Sequence, residues 1–311
     1  MADISRRAFL RRSALAGAAL KVGLLSPQLA SASTAGKMSI ARYKSSPSER
    51  DGVAEEAVRL TRRVIRDLGG MSRFVSKGNV VWVKPNIAWD RTPEQAANTN
   101  PDVVATIVKM CYEAGAKQVI VGDNPCNAQE RSYPNSGIRP AAEKMGARVI
   151  YLDQRKFKKM ALKGKSLKEW EMYVDMIEAD TFINVPIAKH HSLAGATLGM
   201  KNLMGVCGGQ RSRFHQDLSN VLADLAAFVK PKLVVLDAIR VLPVNGPQGG
   251  KLEDVKRKDT LVAGVDQVAV DTFSATLLGM EPKKIGHIVE AQARGLGTMD
   301  YKSLSPVESL V

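Results

Sequence analysis

The sequence predicts an α/β protein: a mostly parallel sheet with helices on both faces, folded as a single compact domain. Three observations lead there. Strand-like and helix-like runs alternate along the chain, as they do where helices cover a parallel sheet. Several of the strand runs are nearly continuous in β-branched and aromatic residues, the pattern of strands buried on both faces. Hydrophobic residues make up 45% of the chain against 24% charged, enough to bury one large core.

The elements follow in order. Met38 to Tyr43 alternates and reads as a strand ended by Pro47. From Val53 to Leu68, Ala54, Val58, Val64, Ile65 and Leu68 recur near helical spacing with arginines between them, and Gly69 and Gly70 close the helix. Asn79 to Lys84 is a buried strand stopped by Pro85. Pro101 opens a helix whose face is Val103, Val104, Ile107, Val108 and Cys111, ending at Gly115. A second buried strand runs from Gln118 to Asp123. Beyond it come a helix over Ile138 to Met145 and strands over Arg148 to Leu152 and Thr181 to Val185. A helix over Leu218 to Phe228 feeds a strand over Lys232 to Leu236. Last come a strand over Thr260 to Ala263 and helices over Gln267 to Leu278 and Lys284 to Arg294. The basic segment Asp153 to Glu171 breaks the rhythm and reads as a hairpin or surface insertion.

The first 32 residues read differently. Ser5-Arg6-Arg7-Ala8-Phe9-Leu10-Arg11 resembles a twin-arginine signal. The apolar run Ala14 to Leu25 behind it is too short and too rich in Ala and Gly to span a bilayer. Ala30-Ser31-Ala32 supplies the small residues a signal peptidase needs, so the expected mature chain is 33–311, beginning at Ser33. The partners this implies are the twin-arginine translocase and signal peptidase, and the expected location is the periplasm. That route resembles one that carries proteins already folded.

Charge bounds the partners. The formal net charge is +14, and the leader accounts for only Arg6, Arg7, Arg11, Arg12 and Lys21 against Asp3, so the remainder stays basic. Such a protein attracts small anionic ligands or polyanions. Much of the excess lies in Arg155, Lys156, Lys158, Lys159, Lys163, Lys165 and Lys168, which reads as a solvated face. Aromatic residues are 5% of the chain, too few for base stacking, and no nucleic-acid partner is expected. Cys111, Cys126 and Cys207 form neither a CxxC pair nor a ferredoxin spacing, so no endogenous iron–sulfur cluster is expected.

Candidate site residues lie just after the buried strands, the edge where ligands bind in open α/β sheets. Lys84-Pro85-Asn86 follows one strand, Gly122-Asp123-Asn124-Pro125-Cys126 the next, and Asn184 to His191 a third, with Asp237 after a fourth. His190, His191 and His215 fall in one stretch with Lys189, Lys201 and Asn202. Between them the glycine-rich run Leu198 to Gly209 lets backbone approach a ligand. The bland alternative keeps His190 and His191 in a capped loop and His215 at a helix start, since neither an HExxH nor an H-x-H pattern occurs.

Together these stretches resemble the domain-of-unknown-function 362 family. The residues that carry it are Lys84-Pro85-Asn86, Asn100-Pro101, Gly122-Asp123-Asn124-Pro125, Asn184-Val185-Pro186 with Lys189 and His191, Lys201 to Gly205, His215, Asp237-Ala238, Gly246-Pro247 and Asp266 to Asp271. The likeness runs from about Val80 to Gly297. Many members of that family carry a ferredoxin-like iron–sulfur domain; this chain has no cysteine set for one, so the resemblance implies at most a ferredoxin-like partner.

The leading functional expectation is an enzyme acting on a small anionic substrate. Lys84, Asn86, Asp123, Lys189 and Asn202 are the expected substrate-binding residues, and His191, His215 and Lys201 the catalytic ones, by acid–base or metal-assisted chemistry. For a divalent metal the candidate ligands are His190, His191, His215 and Asp237. Asp123, Asp237 and Asp271 are candidates to orient the histidines or complete a metal shell. The alternatives are an exported anion- or metal-binding protein without turnover and an accessory subunit of an iron–sulfur redox system. Cys126 and Cys207 are expected on the same sheet edge, near each other.

Overall fold

The computed structural model of the chain describes residues 36–44 and 50–311. The twin-arginine segment, the Ala30-Ser31-Ala32 site, Ser33 and Pro47 lie outside the described residues. In chain order, strand β1 (Met38–Arg42) is followed by helix α1 (Arg50–Asp67), β2 (Val80–Pro85), α2 (Pro101–Glu113), β3 (Gln118–Val121), α3 (Gln129–Asn135), α4 (Ile138–Lys144) and β4 (Arg148–Val149). Next come β5 (Phe157–Ala161), β6 (Glu169–Tyr173), α5 (Val174–Ile177), β7 (Thr181–Val185), β8 (Ile187–His191), β9 (Gly195–Thr197) and α6 (Gly199–Asn202). The chain finishes with α7 (Leu218–Val229), β10 (Leu233–Leu242), β11 (Lys256–Gly264), α8 (Gln267–Leu277), α9 (Gly286–Ala293) and β12 (Val307–Leu310).

Among the described residues ten strands form one sheet in the order β12-β1-β11-β10-β7-β2-β3-β4, with β8 beside β10 and β9 beside β8, while β5 and β6 pair in a separate two-stranded sheet. From β10 to β4 every pairing is parallel. Antiparallel pairs occur where β11 lies between β10 and β1, and where β9 folds back on β8. The fold is therefore the mostly parallel α/β arrangement that the alternation of elements predicts.

Period-two alternation divides each strand between two layers. Val81 and Val83 of β2, Ile183 and Val185 of β7, and Val235 of β10 face one core with α1 and α2. Trp82, Phe182, Val234 and Leu236 face the other, with α7, α8 and α9. Both faces are covered, which is why these strands read as unbroken apolar runs. Side-chain caps fix where the helices begin: Asn100 accepts from the Asp102 N–H ahead of Pro101, and Asp266 accepts from Val268 and Ala269.

Several boundaries differ from the sequence reading. β10 continues to Leu242 instead of stopping at Leu236, because Asp237, a residue that reads as a strand terminator, is buried within it with its carboxylate bonded to backbone. β11 begins at Lys256, since its charged first half pairs beyond an irregularity at Ala238/Arg240 of β10. β4 spans only Arg148–Val149, and α9 starts at Gly286 behind a 3-10 turn over Pro282–Lys284. The basic segment is the β5–β6 hairpin. Four of its cations meet carboxylates at the surface, in the pairs Arg155–Asp153, Lys156–Asp175, Lys159–Glu169 and Lys165–Glu290.

The feature that makes room for a site is Pro186. Before it, β7 pairs with β2 as far as Val185 opposite Pro85. Pro186 has no N–H to give the ladder, and its carbonyl accepts from Asp237 N of β10 instead. Beyond it β8 pairs with β10 and no longer with β2. The sheet thus opens between the ends of β2 and β8, at the carboxyl edge of the parallel strands.

Candidate functional site

A cavity of about 480 Å³ occupies this opening. Its floor is a chain of side-chain amides. Asn184 donates to the Gly199 carbonyl at 2.8 Å, Asn202 donates to Asn184 Oδ1 at 2.8 Å, and Asn86 donates to Asn202 Oδ1 at 2.9 Å. Lys189 completes the chain by donating to Asn86 Oδ1 at 3.0 Å and to the Ala97 carbonyl. Each amide is satisfied by the next, so the floor is buried yet fixed in one arrangement.

Beside the floor lies a buried ion pair. Lys84 Nζ stands 2.8 Å from Asp123 Oδ1 and also donates to the Pro85 carbonyl. Asp123 accepts in addition from Ile87 N and Asn124 N, so its carboxylate is fully engaged. Gly205 closes over the pair: a Cβ there would lie 1.8 Å from Asp123 Oδ1 and 2.8 Å from Lys84 Nζ. Only glycine lets the backbone pass so close.

The cations facing the cavity are Lys189, Lys201 and Arg211. Burial pushes Lys189 down to about 7, with Lys201 pushing the same way, and burial pushes Lys201 down to about 8, reinforced by Arg211 and Lys84. Among the described residues the Lys201 ammonium has neither a hydrogen bond nor an ion pair. Arg211 donates to the carbonyls of Asn124 and Pro125 at 2.8 Å each and, among the described residues, meets no carboxylate. The cavity therefore presents positive charge that the protein itself does not neutralise.

Two imidazoles share the lining, ring centroids 6.1 Å apart and planes 20° from parallel. His191 Nδ1 accepts from Leu193 N and Ala194 N, both at 3.2 Å. That bonding puts the ring proton on Nε2. Burial and the nearby Lys201 push His191 down to about 3, so the ring is a neutral donor at ordinary pH. His215 is bonded the other way round. Its Nδ1 faces the Ser212 carbonyl at 3.0 Å and so donates to it, and in the neutral ring that bond leaves the lone pair on Nε2.

Of the residues expected from sequence, Asn86, Asp123, Lys189, His191, Lys201, Asn202 and His215 line this cavity. Four others do not. Lys84 is fully buried behind the lining and paired with Asp123, so it supports the site without facing it. His190 points to the other side of β8, with Nδ1 3.2 Å from the Gly246 carbonyl, because neighbouring residues on a strand face opposite ways. Asp237 bonds to the N–H groups of Asn100 and Ile239 and takes no part in the cavity. Asp271 orients no histidine; it caps α6 by accepting from Gly199 N and Met200 N. Among the described residues no three of His, Cys, Asp and Glu gather closely enough to hold a metal ion, so the candidate metal set does not assemble.

The two loop cysteines share the edge but not a bond. Cys126 is exposed at the cavity, whereas Cys207 is buried with its thiol 3.8 Å from Met172 Sδ; both are free. The Cys207 carbonyl accepts from Asn124, which keeps its backbone beside the Cys126 loop. Sequence reasoning missed Arg211, Trp89 and Thr197 in the lining. A basic residue two positions after Gly209 was the available signal for Arg211. Strand β8 was missed because Pro186 reads as an end of the strand, while the chain resumes extended structure directly after it.

The comparisons with known proteins bear on this arrangement. The domain of unknown function (DUF362) matches residues 81–276. The chain belongs to that family. It is 28% identical over 244 residues to the thylakoid-associated protein sll1697 of Synechocystis sp., covering 76% of this chain and 74% of that protein. Among solved structures it is similar to the lactate racemase apoprotein of Thermoanaerobacterium thermosaccharolyticum, at 12% identity and a TM-score of 0.49 over 76% of this chain. A Thermotoga maritima protein matches at 10% identity and a TM-score of 0.41 over 77% of this chain. The chain spans 56% and 59% of the length of those two structures. The family segment begins within β2 and ends within α8, so it takes in every cavity residue named above.

Proposed function

We propose that this member of the domain of unknown function 362 family is an enzyme that binds a small anionic substrate in the cleft and moves a proton on it. The observation that carries the reading is the pair of imidazoles with opposite polarity, His191 with its N–H and His215 with its lone pair, set beside Lys201 and Arg211. Lys201 and Arg211 hold the anion. His215 is the base. His191 donates a hydrogen bond to charge that develops on the substrate, a task for which a neutral imidazole is suited because it does not transfer its proton outright. Lys189 keeps the amide floor in register. We further propose that the protein is exported by the twin-arginine route to the periplasm, with residues 1–32 removed.

The test is solvent exchange. Purified protein is incubated in deuterated water with a panel of small carboxylic acids that carry a C–H next to a carboxylate, and deuterium incorporation is followed by NMR. The reading expects exchange into at least one of them, reduced roughly 100-fold or more in His215→Ala, within the range for loss of a general base. Tight binding of an acid with no exchange or other turnover across the panel would replace the enzyme by an anion-binding protein.

A further inference from the structure

We infer that the ligand of this cleft is a small dianion, a dicarboxylate or a phosphate monoester, rather than a monoanion. The inference rests on the proposal that the cleft binds an anion, and it narrows the chemical class. It comes from a count of charges that face one space. Lys189, Lys201 and Arg211 all line the same cavity. Among the described residues Asp123 is the one carboxylate in that lining, and it is spent on Lys84 and on two backbone N–H groups. Arg211 is held in place by carbonyls, and Lys201 by none of its polar neighbours.

With both lysines protonated, one negative charge leaves such a set in excess. Cations gathered in one cavity repel one another, and the repulsion is relieved in proportion to the charge brought in. Lys201 lies centrally, acting electrostatically on Lys189 and feeling Arg211. A dianion reaching Lys201 can thus be shared with both of its neighbours. The neutral His191 Nε2–H adds a donor without adding charge. A volume of about 480 Å³ holds far more than a lone inorganic ion, so the two charges sit on an organic molecule of some size.

The groups that face the lysines also give the inference a second readout. The charged and titratable neighbours are Cys126, Arg211, Asp123, Lys84 and the buried His287, with His191 and His215 in the same lining. Lys189 and Lys201 have been pushed down to about 7 and about 8. A dianion beside them favours their charged forms and raises both again. Binding near pH 8 therefore takes up protons from the buffer.

The experiment is isothermal titration calorimetry of the full chain at pH 8, in two buffers of different ionisation enthalpy, with two matched pairs of probes. Succinate is set against monomethyl succinate, and methyl phosphate against dimethyl phosphate, so that within a pair the size is nearly constant and the charge changes by one. We expect the dianion of at least one pair to bind about tenfold or more tightly than its partner, with net proton uptake. The pair that shows the difference identifies the dicarboxylate or the phosphate ester as the source. Lys201→Gln is expected to bring the dianion down to the affinity of the monoanion while melting within a few degrees of wild type. Equal affinity within both pairs, without proton uptake, would overturn the dianion inference and leave the anionic cleft standing. No binding by any of the four would overturn both.

Discussion

Lys84 was expected to touch substrate, and its place in the structure instead makes it a support, a distinction that one substitution resolves. Lys84→Met keeps the length and most of the volume of the side chain but removes the ammonium 2.8 Å from Asp123. Breaking a buried pair by deleting one partner typically costs about 3–5 kcal/mol, because the other charge stays buried and uncompensated. Here the surviving carboxylate keeps two backbone N–H donors, from Ile87 and Asn124, so the low end applies and about 3 kcal/mol is expected. At about 2–4 °C per kcal/mol for a chain of this class, Tm should fall by about 6 °C or more. Asp123→Ala should cost more, about 5 kcal/mol, since it strands the Lys84 ammonium and orphans both N–H groups. Urea denaturation with unchanged slope m measures both. Anion binding, read by titration below the transition, should persist in folded Lys84→Met. A variant that loses less than about 1 kcal/mol but no longer binds any anion would show that Lys84 meets the ligand directly, and the reasoning would fail.

Other outcomes follow from the same geometry. Nitrogen NMR of the ring should show His191 neutral with its proton on Nε2 throughout pH 5–8, because burial holds the group down to about 3; an imidazolium signal at pH 6 would contradict this. Burial pushes Asp271 up to about 7, against the two N–H bonds that lower it. The folded state therefore keeps a proton that the unfolded chain releases near pH 4, and the contribution of Asp271 to stability, full at low pH, is lost as pH rises from about 4 to about 7. Asp271→Asn should flatten that part of the stability–pH curve; an unaltered slope would contradict the assignment. Changing Arg6 and Arg7 together to Lys should leave full-length precursor in the cytoplasm, and mature protein starting at Ser33 in the exported fraction would refute the twin-arginine route.

Much of this protein is legible in its sequence because the relevant physics is local. The unbroken apolar run over Val80 to Val83 can only be a strand covered on both faces, and Asn100-Pro101 and Asp266 mark helix starts through bonds that span two or three residues. That ligand-binding groups gather at the strand ends follows from parallel topology alone, and Asn86, Asp123, Lys189, His191, Lys201, Asn202 and His215 do converge from positions far apart in the chain. Which of them face the cavity was decided only by tertiary structure. His190 and His191 are chemically the same and adjacent, yet the pleat of β8 turns one to the cleft and the other to Gly246. Lys84 and Lys189 both lie within strands, but Asp123 claims the first while the second meets only amide and carbonyl oxygens. Pro186, which in sequence reads as a stop, in three dimensions releases the chain from β2 while it stays paired with β10, and so opens the cleft. A side chain's partner across the sheet depends on register and on close approaches such as that of Gly205, and these are fixed by the packing of the whole fold, not by any local run of residues.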